Sequence, residues 1–153
     1  MRDFRFRAMA ALDLRRQQEN AAAMALAVAE AAFRAAEARV AEAERERALA
    51  QQRQVEAQRE GSDSSTIFWH RNWIVRLAAN IDARKRDMEA RALEARQAEK
   101  AWREARQRRL ALERMRERAV RRFQQEQQRQ ELKVIDELAR LRFVMPDAWR
   151  DDT

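Results

Sequence analysis

One histidine, His70, stands alone in this chain, and no cysteine stands in for a second. Disulfides, thiolate nucleophiles and Cys/His metal sites are therefore outside its chemistry. A phosphate-cradling loop needs several glycines, and only Gly61 is present. The carboxylates are numerous but spaced like those of solvated helix faces. No nucleophile, base and orienting group recur at a spacing that would bring them together. The sequence therefore reads as no enzyme in its own right, with no cofactor, no metal site and no small-molecule substrate. His70 itself reads as a side chain packed beside a turn.

What remains is chemistry of recognition. The cluster Phe68-Trp69-His70-Arg71-Asn72-Trp73 puts three large aromatics within six residues. If Ile67, Ile74, Leu77 and Ile81 face a neighbouring helix, Phe68 and Trp69 point away from it and Trp73 sits on the flank. Aromatic and Arg side chains dominate interface hot spots, so Phe68, Trp69 and Trp73 form a candidate docking site. The competing reading is that they fold over the nearby loop as a cap. A second feature is charge: Trp102 to Gln130 holds ten Arg against four Glu, within a chain of formal charge +7. Part of that excess is compositional, because Arg outnumbers Lys 30 to 3. A basic stripe still attracts an acidic surface over about a Debye length, ~8 Å at physiological salt. Nucleic acid is disfavoured, since no recognition motif accompanies the arginines and Glu104, Glu113 and Glu117 interrupt them. A protein with an acidic rim fits better.

The elements that carry these residues follow from composition. Charged residues make up 39% of the chain, and much of its 46% hydrophobic share is alanine. Ala, Arg, Glu and Gln all favour helix, and no strand signal interrupts them. The single break is Glu60-Gly61-Ser62-Asp63-Ser64-Ser65. Gly61 suits the left-handed position just past a helix end, and Asp63, Ser64, Ser65 or Thr66 can cap the next helix. The expected fold is all-α: one domain of two long helices forming an antiparallel coiled-coil hairpin. The helices run over about 3–60 and 66–143, the turn over 61–65, and a frayed tail over 146–153, with the second helix the longer. No apolar run spans a bilayer, and the N-terminus lacks the apolar core of a secretion signal. A cytoplasmic protein is expected.

Heptad spacing defines the seam. In the first helix Leu12, Leu26, Phe33 and Val40 alternate with Ala8, Ala22, Ala29, Ala36 and Ala43 in steps of three and four. Arg15, Glu19, Arg47 and Gln54 make it locally polar. Met24, Ala25 and Val28 widen the apolar face, which reads as broader packing, with a surface for a partner helix as the alternative. In the second helix the seam is Ile67, Ile74, Leu77, Ile81, Met88, Ala95, Ala98, Trp102, Ala105, Leu112, Ala119 and Phe123. Acid-first pairs four residues apart, such as Asp87–Arg91 and Glu99–Arg103, each add about 0.3 kcal/mol on an exposed face.

Folding back at the turn brings Phe4 to the neighbourhood of Arg121. The second helix then continues beyond the first, with an apolar stripe at Val134, Ile135, Leu138 and Leu141. An isolated helix of that kind is marginal in water, so this stripe needs a partner. Together with Arg114, Arg118, Arg121, Arg122 and Phe123 it forms a second candidate docking surface.

Both ends of the chain resemble the flagellar export protein FliJ family. The opening Phe4-Arg5-Phe6 with Leu12-Asp13-Leu14-Arg15 is similar to its start. Leu112-Glu113-Arg114-Met115-Arg116-Glu117-Arg118 and Glu131-Leu132-Lys133-Val134-Ile135-Asp136-Glu137-Leu138-Ala139 are similar to its close. The resemblance implies a stalk-like component of a type III export apparatus, flagellar or of the related injectisome. Its implied partners are a hexameric export ATPase, the cytoplasmic part of a membrane export gate, and export chaperones. Its implied location is cytoplasmic, peripheral to the inner membrane. On that reading the C-terminal stripe faces the ATPase and the aromatic cluster faces the gate. The alternatives are a self-associating coiled-coil scaffold and, less favoured, a basic nucleic-acid-binding hairpin.

Overall fold

A computed structural model describes residues 3–144. The fold is all-α, with α1 at Met9–Arg59 and α2 at Ser64–Val144, of 51 and 81 residues. Both boundaries at the turn follow from local chemistry. The amide of Ser62 donates to the carbonyl of Ala57 at 3.0 Å and that of Gly61 to Gln58 at 3.3 Å. This crossed pair closes a helix with a left-handed residue, and Gly61 takes φ +72°. Asp63 then starts α2: its carboxylate accepts from the Thr66 amide at 3.1 Å and from the Ser65 hydroxyl at 3.2 Å. Those bonds satisfy a donor that the first helical turn leaves orphaned.

The expected start of α1 near Asp3 is wrong by six residues. Residues 3–8 alternate exposed and half-buried, so Phe4, Phe6 and Ala8 share one side while Asp3, Arg5 and Arg7 face water. That period of two fits extended chain over residues 3–6, and residues 7–8 form a turn. The amide of Met9 donates to the Phe6 carbonyl at 3.1 Å, and the helix is under way when Leu12 donates to Ala8. Of the expected tail, only residues up to 144 are described; 146–153 lie outside the described residues.

The contacts gather in two compact units. The first is a helical hairpin, Arg16–Arg106, closed by the turn. Its core is an alanine-lined seam, in which Ala36, Val40, Ala43, Ala50 and Ala57 of α1 and Leu77 and Ile81 of α2 are buried. The steps of four, three, seven and seven between the α1 positions are those of a coiled-coil seam, and alanine there lets backbones approach closely. Across it, Lys85 Nζ meets Glu44 Oε1 at 3.1 Å, a half-exposed pair worth under about 1 kcal/mol. The Nε of Arg84 is buried in this unit with no hydrogen-bond partner. Met24 and Val28 do not broaden the packing: they are 71% and 70% exposed, against the expected wide core face.

The second unit joins the chain up to Arg15 with the chain from Gln107. Leu12, fully buried, is its anchor, and the rings of Phe4 and Phe123 meet with centroids 5.6 Å apart and planes at 57°.

Candidate docking surfaces

Within the hairpin unit, the aromatic cluster lies on the first turns of α2. Phe68 and Trp69 are about 60% exposed and Trp73 about 40%. Trp69 and Trp73, one turn apart, stack with centroids 6.2 Å apart and planes 9° from parallel. The rings of His70 and Trp69 meet edge to face with centroids 5.1 Å apart, and His70 is half-buried. The tryptophans thus lie along their own helix and leave wide faces to solvent. The cluster is also free of acid: between Asp63 and Asp82 the charged side chains are Arg71 and Arg76. Chemically this is an aromatic surface with cationic flanks.

The other unit carries the second surface. Arg114, Arg118, Arg121 and Arg122 are all exposed, and at 100° per residue they fall on one side of α2. Arg118 Nε donates to the Arg114 carbonyl at 3.4 Å. Arg109 and Glu113 pair at 2.6 Å, in a partly shielded position. Phe123 is half-buried by Phe4. Beyond it the burial changes: Leu132, Val134, Ile135, Leu138 and Leu141 are each more than half exposed, and Phe143 is 93% exposed. Helical geometry places Val134, Leu138 and Leu141 within about 60° of the line of Phe123, so they prolong its seam-facing side. An open groove runs along this side, lined by Phe123, Glu126, Gln127, Glu131 and Val134.

Exposed apolar side chains that reading by heptad did not single out include Leu14, Leu49, Val55, Val75, Leu93 and Met115. They occur singly along the helices, which is ordinary for a protein surface. Among the described residues no group of metal-ligating side chains comes together, and no helix is long and apolar enough to cross a membrane.

Two long helices joined by a tight turn, with a seam of heptads, define a coiled-coil protein. The chain belongs to the flagellar FliJ protein family, whose model matches residues 10–146. It is thereby a helical component of the flagellar export apparatus. No curated protein and no solved structure matches it.

Proposed function

We propose that this chain is a non-enzymatic coupling stalk of the flagellar export apparatus, docking on the hexameric export ATPase through the C-terminal part of α2. The observation that carries this reading is the stripe at Val134, Ile135, Leu138 and Leu141, which is exposed on a well-formed helix. Burying four such side chains against a partner is worth several kcal/mol in gross transfer energy, at roughly 25 cal/mol per Å². The exposed arginines at 114, 118, 121 and 122 add attraction to an acidic rim. The aromatic surface at Phe68, Trp69 and Trp73 serves a second partner, the cytoplasmic part of the export gate. Export chaperones are further partners, and the working location is the cytoplasmic face of the inner membrane. Ending the chain after Arg122 tests the assignment. The shortened chain should keep its helical hairpin and lose capture by the purified ATPase; undiminished capture would remove the assignment.

A further inference from the structure

The same stripe has a second property, which concerns a second copy of this chain. Between Glu131 and Glu137 stand three acids and Lys133, a net charge of −2; between Leu138 and Phe143 stand only Arg140 and Arg142, a net of +2. All are exposed. The segment is therefore electrically divided along its axis, with apolar side chains running through both halves. Immediately before it, Gln107 to Arg122 holds seven Arg against two Glu.

We infer that, in the absence of another partner, two copies pair antiparallel through residues 131–143. In that arrangement the acidic half of each copy lies against the basic half of the other. Parallel pairing would set like halves together and bring two arginine belts side by side, where like charges repel. Antiparallel pairing carries the belts away from each other.

One contact fixes the direction. Glu131 and Arg142 are eleven residues apart, so they sit about 20° from each other around α2, on the line between Leu138 and Ile135 of the stripe. In an antiparallel pair centred between them, Glu131 of each copy meets Arg142 of the other, twice by symmetry. Val134, Ile135, Leu138 and Leu141 of both copies fill the space between, and the open groove beside Gln130, Glu131 and Val134 receives the basic half of the second copy. Such a contact is at the low end of specific interface sizes, on the order of 1,000 Å². It is weak, concentration-dependent and displaced by any tighter partner for the stripe. Self-pairing therefore shelters the apolar side chains of the free protein and competes with docking elsewhere.

Sedimentation equilibrium of the full chain alone tests this without any ATPase, so its outcome is independent of the proposed docking. The wild type should dimerise at tens of micromolar. Glu131→Arg and Arg142→Glu should each weaken the dimer by about tenfold, because each sets like charges together twice. The exchange variant Glu131→Arg/Arg142→Glu should recover to within about threefold. Circular dichroism confirms that all four remain helical. A wild type that stays monomeric at a few hundred micromolar overturns the inference. So does an exchange variant no better than the single ones, or a chain ended after Arg122 that dimerises as well as the full chain.

Discussion

The ring of Phe4 sits 5.6 Å from that of Phe123, centroid to centroid, with the two planes at 57°. Within their unit this contact marks where the N-terminal segment covers α2. Phe123 is half-buried, and the large apolar side chains described after it are exposed. A tilted aromatic pair contributes about 0.5–1.5 kcal/mol beyond its area. Phe4→Ala and Phe123→Ala should therefore show a coupling of that size in a double-mutant cycle of thermal unfolding. The α1 and α2 helicity should be kept in each single variant.

Gly61 tests the turn. Its φ of +72° is costly for any residue with a Cβ, although nothing lies within 4 Å of where that Cβ would go. The penalty of Gly61→Ala is then backbone strain alone, about 1–2 kcal/mol. Gly61→Asn should cost less, since Asn tolerates the left-handed region. Denaturant titration of the two variants measures the difference.

Asp63 makes the same turn sensitive to acid. Bonds from the Thr66 hydroxyl, the Thr66 amide and the Ser65 hydroxyl hold its carboxyl below the ordinary 3.8. A carboxyl depressed in the folded state stabilises it above the unfolded value and loses that contribution as pH falls through the folded one. Asp63→Asn keeps an acceptor but does not titrate. The melting temperature of the wild type should therefore exceed that of Asp63→Asn near neutrality. The gap should close as pH is lowered below about 4.

Arg84 is the weak point of the alanine-lined seam. Its Nε is buried without a partner. An unsatisfied donor of that kind costs about 1–3 kcal/mol, and Arg84→Met keeps the stem while removing the donor. The variant should be more stable than the wild type by about 1 kcal/mol in chemical denaturation.

The heptads were legible from the chain alone because steps of three and four have one structural meaning over fifty residues. Ala36, Val40 and Ala43, placed on the seam by spacing, are buried. The turn was legible because Gly61 and Asp63 have few alternative uses. The N-terminus was misread for a definable reason: Asp3-Phe4-Arg5-Phe6-Arg7-Ala8 alternates with period two, but six residues beside a long helix were absorbed into its pattern. Folding back at the turn places Phe4 near Arg121, and its ring meets Phe123; that it gets there as non-helical chain is a long-range effect that no local signal announces. Met24 and Val28 were misassigned because apolar residues beside a seam look alike whether or not a partner helix covers them. For the same reason the docking surfaces show in the sequence as surplus apolar residues, without the identity of what meets them.

The proposed docking on the export ATPase depends on the exposed apolar side chains at the C-terminal part of α2. Titration calorimetry of the purified hexameric ATPase with the wild type and with Ile135→Glu/Leu138→Glu/Leu141→Glu tests it most directly. Glu is a good helix former, so the variant should remain as helical as the wild type. Its affinity should fall by at least about a hundredfold, the loss expected when several interface anchors are removed. Equal affinity for the two chains would contradict the account.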